Sequence, residues 1–353
     1  MKRKLLPIAL AATLMLGIAV GFAGCGKSNS ETPSNSGSAD SSGGTVYTMK
    51  LHHDLAEGTA QDLGAKKFAE LVSEKTNGQV EVKIFPNNVL GTDTEAAEMI
   101  QTNSLECALL PTAKLSGFYP PLQVLDLPYM FQTRDQLYGT LDDADFKDML
   151  FKPMEELGMK GINFWESGFK QFTANKEVVK PEDFIGLKFR TMESPLIIAQ
   201  FKALGANPIP IDFGETYNSL QQGVVDGEEN PLVSIVNMRF YDVQSNVVIS
   251  NHAYLAYAFL FSNDYWNTLP EDIQTAIIEA ADEAVAYERQ LTIDNEEGYI
   301  KTIEDSGTTV TYMTEEQTAV MADALKPVHE QFRDTIGSDL LDKTYELVKK
   351  YTK

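Results

Sequence analysis

Residues 184–231 constrain this chain most; they read FIGLKFRTMESPLIIAQFKALGANPIPIDFGETYNSLQQGVVDGEENP. Three short apolar runs, 187–192, 207–211 and 223–226, alternate with two helical patterns. The first helix is predicted over 195–204, with Pro195 opening it and Gly205 just past its end. The second begins near Gly214 and Glu215 and stops at Gln222 and Gly223. Strand, helix, strand, helix, strand is the pattern of a parallel α/β unit. Ligands of such units sit outside the carboxyl ends of the strands. Arg190 lies near the carboxyl end of the first predicted strand and Asn230 just beyond the last, so both are expected to face one crevice. A guanidinium there is a flat, permanently charged fork that matches a carboxylate. The plainer alternative for Arg190 is an ordinary surface ion pair.

The same residues carry a family resemblance. GLKFRTMESP, then LGANPIPIDFGETYNSLQQGVVDGEENP, resembles the solute-binding proteins of TRAP transporters (the DctP family), tripartite ATP-independent importers of organic acids. FPNNVLG, SLECALLP and the FYP…LPY segment extend the resemblance over nearly all of 46–349. It implies a two-lobed, periplasmic-binding-protein-like α/β fold, each lobe a sheet flanked by helices, with one long helix spanning both. Lobe I is then expected at 46–167 plus about 256–295, and lobe II at 168–255 plus about 296–353. In the family a second arginine often stands where this chain has Lys170. A lysine supplies a point charge without the planar fork. Lys170 is expected in the site; the alternative is a solvated lysine and a pocket with one cation.

Residues 1–24 read as a processing segment, with Lys2, Arg3 and Lys4 before an apolar run over 5–20. That run is short for a membrane span, which takes about 20 apolar residues. Small residues before Cys25 resemble a lipobox, so Cys25 is expected to become a lipidated N-terminus. Residues 25–45, rich in Ser, Gly and Asn, are predicted to be a disordered tether. Cys107 is the only other cysteine and sits in the apolar run 105–110, where it reads as a core residue. The net charge of −22 offers no basic patch for nucleic acid. It suits a soluble extracytoplasmic monomer, in which a carboxylate ligand must find a local positive site.

Further elements follow from pattern. Strands are predicted at 47–52, 80–85, 105–110, 161–165, 247–250, 255–261 and 308–313. Helices are predicted at 60–76, 92–103, 136–157, 233–241, 270–306, 314–335 and 338–349.

The candidate pocket set is Arg190, Lys170, Asn230, Phe213, Glu193, Glu166 and His53. Arg190 would take the ligand carboxylate, Lys170 would add charge, Asn230 would donate and accept, and Phe213 would form an apolar wall. Lys114 either faces the cleft or is an exposed loop lysine. Glu166 and Glu193 are acceptors that fit hydroxyls and repel a second carboxylate, favouring a sugar acid (a hexuronate or aldonate) over a C4-dicarboxylate. Glu193 has a second reading, as a simple ion pair orienting Arg190. Trp165 and Met192 read as packing residues.

No H-E-x-x-H or G-x-S-x-G pattern occurs. The DGEEN run lacks calcium-loop spacing and reads as the strand-to-helix turn before Pro231. No enzyme, metal or cofactor is expected. The leading function is a lipid-anchored receptor that delivers an organic acid to TRAP membrane subunits. Alternatives are a receptor for a signalling kinase, and an extracytoplasmic enzyme using Glu166 or Glu193 as acid or base.

Overall fold

A computed structural model describes residues 46–352; the expected signal peptide, Cys25 and the tether lie outside the described residues. The chain opens with β1 (Tyr47–His52), α1 (Ala60–Lys75), β2 (Val80–Phe85), α2 (Asp93–Gln101) and β3 (Cys107–Pro111). Both helices start on a threonine whose hydroxyl accepts an orphan backbone N–H. Thr59 caps α1, and Thr92 with Glu95 forms a capping box on α2. These strands are parallel, with β1 between β2 and β3. Cys107 is buried, as expected.

The helix predicted over 136–157 is two helices, α3 (Arg134–Leu141) and α4 (Ala144–Glu155). Asp143 is extended and its carboxylate accepts from the Phe146 N–H, which restarts the helix. Next come β4 (Met159–Ala174), β5 (Lys188–Thr191), α5 (Pro195–Ala203), β6 (Asn207–Pro210), α6 (Thr216–Gln221) and β7 (Gly227–Pro231). β5 pairs in parallel with β6 and β7, so the expected parallel unit is present.

Its third strand, however, is β7 and not residues 223–226, and the DGEEN run enters that strand instead of turning before it. Glu228 and Glu229 are fully buried in β7, because residues far away in sequence satisfy their carboxylates. Asn230 is therefore inside the strand.

The remaining elements are α7 (Leu232–Asn237), β8 (Asn246–Ser262), α8 (Asn263–Trp266), α9 (Glu271–Asp305), β9 (Thr309–Tyr312), α10 (Glu315–Ile336) and α11 (Ser338–Lys350). The sheet order is β2-β1-β3-β8-β4-β7-β5-β6, with β9 on β8. The long antiparallel pair β4 and β8 runs through both parallel halves. Three predicted short strands are thus parts of these two. Their ladder shifts register between Glu166 and Gly168, where Gly168 has φ +120°, a conformation side chains rarely adopt. At 1.5 Å per residue α9 is roughly 50 Å long. It passes so close to α1 that a Cβ on Gly64 would meet the Trp165 ring at 2.6 Å and Glu288 Cβ at 2.9 Å.

Candidate functional site

A narrow cavity, with about 250 Å³ of non-atom space when the solvent at its mouth is included, lies between the two parallel halves of the sheet. From the second half come Arg190 on β5 and Met192 just after it, Phe213 after β6, and Asn230 on β7. From the first half come Asp54 after β1, Asp93 at the start of α2, and Pro111 and Lys114 at the end of β3. Leu255 and Tyr257 of β8 close the wall. Most of these are residues at or just past the carboxyl ends of parallel strands, where this architecture leaves a crevice.

Arg190 is 1% exposed. Its Nε donates to the Ile211 carbonyl at 2.9 Å, which fixes the guanidinium plane. Its Nη2 is buried without a hydrogen-bond partner. Burial pulls its pKa down, opposed by the fields of Glu228, Glu229, Asp212 and Asp93. Arginine nonetheless stays charged in proteins. A buried charge with unused donors is costly unless something negative completes it.

Asn230 Nδ2 donates to Glu228 Oε2 at 2.5 Å, and Thr173 Oγ1 donates to Glu228 Oε1 at 3.0 Å. Burial raises the Glu228 carboxyl to about 7 despite these bonds and Arg190. Lys114, the residue with two open readings, is buried; its Nζ lies 2.8 Å from Asp212 Oδ1, joining the two halves. Asp54 and Asp93 are both buried, and Oδ1 of each lacks a partner. Tyr257 donates to Asp54 Oδ2 at 3.0 Å. Burial first, then the neighbouring Asp93, raises the Asp54 carboxyl well above its usual range. Burial raises Asp93 to about 6; Lys114 opposes this and Asp212 adds to it.

Of the seven candidate residues, Arg190, Asn230 and Phe213 line this cavity. The other four lie elsewhere. Lys170 is fully buried with its Nζ 2.9 Å from Glu229 Oε1. Glu229 Oε2 lies 2.7 Å from His252 Nε2, and His252 Nδ1 lies 2.8 Å from Ser250 Oγ. Burial pushes Glu229 up, but Lys170 and His252 outweigh it and hold the carboxyl near about 2. Burial lowers His252. The charges are then those of Lys170 and Glu229, with a neutral His252 donating to the carboxylate and accepting from Ser250.

Glu166 sits at the β4 bulge. Its carboxylate accepts from Arg134 Nε at 3.1 Å and from the Tyr138 hydroxyl. Its backbone N–H donates to Glu288 at 3.2 Å and its carbonyl accepts from Gln61 at 2.7 Å. Burial raises Glu166, against the pull of Arg134 and Tyr138. The Glu193 side chain is exposed, and its carbonyl accepts from Ser116 Oγ at 3.4 Å. His53 is buried 3.5 Å from Asp62 Oδ1. Trp165 packs in the core with its indole N–H on Asn163, whereas Met192 lines the cavity.

The candidate set left out Asp54, Asp93 and Tyr257. Asp54 had a signal, since it follows β1 at the carboxyl end of the strand. Asp93 looks like any acid in the first turn of a helix. Among the described residues no cluster of three or more His, Cys, Asp or Glu is placed to hold a metal ion.

A cavity between two α/β halves that share two long strands, lined by a buried guanidinium with no ion-pair partner, belongs to a two-lobed binding protein. The comparisons name the kind. The family described as bacterial extracellular solute-binding protein, family 7 (DctP) matches residues 51–335, and the chain belongs to it. The C4-dicarboxylate-binding periplasmic protein DctP of Rhodobacter capsulatus is 35% identical over 295 residues, covering 83% of this chain and 88% of that one. A TRAP periplasmic solute-binding protein from Sulfurospirillum deleyianum, with bound succinate, is 37% identical with TM-score 0.80, covering 85% of this chain and 98% of that one. The sugar acid binding protein DctPAm of Advenella mimigardefordensis, in complex with galactonate, is 29% identical with TM-score 0.83, covering 87% and 99%. No helix among the described residues is long and apolar enough to cross a membrane.

Proposed function

We propose that this chain is an extracytoplasmic receptor that captures one organic acid, with the acid's carboxylate on Arg190, and hands it to the membrane subunits of a TRAP transporter. The observation that carries the reading is the buried Arg190 Nη2, which faces a cavity and has no partner. A carboxylate there completes a charge-assisted pair in a dry site. Asn230 adds a donor at the same end, and Phe213 and Met192 supply an apolar wall.

The ligand class best supported is a sugar acid. Glu166 and Glu193 lie away from the cavity, so the role of accepting from ligand hydroxyls passes to Asp54 and Asp93. Capture drives closure only through tighter binding to the closed state. Residues on both halves, Arg190 on one and Asp54, Asp93 and Lys114 on the other, supply that difference. The halves hinge at the β4 bulge beside Gly168, and Cys25 tethers the monomer to the membrane by a lipid.

The test is a thermal-shift screen of the purified protein against hexuronates, aldonates, C4-dicarboxylates, 2-oxo acids and amino acids. A ligand at 100 times its Kd stabilises by about 2.7 kcal/mol, which moves the midpoint by several degrees. A shift with aldonates or hexuronates is expected. No shift with any acid overturns the receptor reading, and a shift with amino acids alone overturns the sugar-acid assignment.

A further inference from the structure

Asp54 and Asp93 are the two residues of the cavity whose chemistry the carboxylate-capture reading leaves unspent. They come from different elements, the loop after β1 and the first turn of α2, yet line one small space together with Arg190. Each is at least nine-tenths buried, and each keeps one oxygen without a partner. The charged and titratable groups facing them are few. Tyr257 donates to Asp54 from β8. Lys114 approaches from the end of β3, Arg190 acts on Asp93 from β5, and Asp212 faces Asp93 from beyond β6. Lys114 is already engaged by Asp212. Arg190 is therefore the one cation of this set without an ion-pair partner, and one ligand carboxylate satisfies it.

A second ligand carboxylate would have to lie against two buried aspartates. Like charges brought together in a low-dielectric site raise one another's pKa until a proton is taken up. A ligand hydroxyl meets no such obstacle, since it donates to a carboxylate oxygen, or accepts from a protonated carboxyl, as it stands. Resting on the receptor reading above, we propose that Asp54 and Asp93 set selectivity at the far end of the ligand. They accept hydroxyl donors directly, and they admit a second carboxylate only together with a proton drawn from solvent. That proton ends on one aspartate or on the shared carboxyl–carboxylate contact, and the total charge of the closed cavity is then the same for a mono- and a dicarboxylate. Burial, with Asp93 beside Asp54 and Asp212 beside Asp93, already holds both carboxyls above their usual range before any anion enters.

The experiment is calorimetric titration of the purified protein with succinate and with galactonate between about pH 6.5 and about pH 8.5, in pairs of buffers of different ionisation heat. The buffer difference counts protons taken up on binding. Succinate is expected to take up close to one proton, with Kd tightening up to about tenfold per pH unit as pH falls. Galactonate is expected to take up fewer protons and to show a shallower slope. Asp93→Asn should flatten the succinate slope and move the preference toward succinate by about tenfold or more. Asp54→Asn provides the same readout should the helix start at Asp93 not tolerate the change.

Succinate binding without proton uptake overturns the proposal, as does an equal uptake and slope for the two acids. Failure of succinate to bind even at the acid end, where galactonate does, also overturns it. These outcomes leave the receptor reading standing. If neither acid binds and Arg190→Ala alters no response in the thermal screen, the receptor reading itself fails, and this inference with it.

Discussion

Arg190 and Lys170 are two fully buried cations on strands that flank β7, and their surroundings differ in one respect. Lys170 has a carboxylate at 2.9 Å, itself held by His252. Arg190 has one bond to a carbonyl and a free Nη2. β7 separates the two environments by its own pleat. Successive side chains of a strand point to opposite faces, so Glu228 and Asn230 serve the Arg190 side while Glu229, between them, serves Lys170. A matched buried charge is a structural fixture; an unmatched one is prepared for a partner that arrives later. The sequence shows two cations at strand positions, and only the partner distances tell them apart.

The comparison breaks most visibly at Arg190. Arg190→Ala should weaken binding of whichever acid shifts the melting midpoint by roughly 30-fold to several thousand-fold, the effect of about 2–5 kcal/mol. The fold should hardly be destabilised, because no ion pair is lost. Near-normal affinity by calorimetry would refute the distinction.

Lys170→Met should show the opposite balance. Removing one partner of a buried pair leaves Glu229 uncompensated and costs about 3–5 kcal/mol of stability by urea unfolding. Affinity of the folded protein should fall less than in Arg190→Ala.

A third prediction extends the contrast to carboxyls, since Glu229 is matched and Glu288 is not. Burial, then Glu166, raises Glu288 to about 8. Its folded form keeps a proton that the unfolded chain releases above its ordinary pKa, so stability from this group falls as pH rises from about 4.5 to about 8. Glu229 works the other way. Burial raises it, but Lys170 and His252 hold it to about 2, so its contribution is present above the unfolded pKa and lost as pH falls toward 2. Glu288→Gln should flatten the limb of the stability profile between about pH 4.5 and about pH 8 by an amount on the order of a few kcal/mol at most. An unchanged limb would remove Glu288 from the account.

The smallest expected effect is at Glu193, whose side chain is exposed. Glu193→Gln should leave both Kd and stability within about 0.5 kcal/mol. A larger loss of affinity would return Glu193 to the ligand.

Local pattern and family resemblance together carried much of the fold. β2 begins and ends where its alternation predicts, and α9 (Glu271–Asp305) runs between caps at Pro270 and Ser306, within a residue of its predicted ends. The misplacements have a common cause. The run 223–226 looked apolar enough to be the third strand, while the real strand holds Glu228 and Glu229 and looked polar. The two-helix break at Asp143 was a capping event inside a continuous helical pattern. The short strands predicted within β4 and β8 merged because a bulge interrupts alternation without ending pairing.

By itself, then, the sequence determined what local chemistry determines. Helix starts follow from Thr59 and Thr92, the parallel unit follows from its alternation, and Arg190 follows at a strand end facing a crevice. Tertiary structure alone decided which buried charges are spent. Lys170 meets Glu229 across 59 residues, Arg134 reaches Glu166 and Glu296 on separate elements, and Asp54 and Asp93 come together from a loop and a helix start. A side chain's charge is written in its own residue, but its partner is set by strand order and pleat, which no local window of sequence contains.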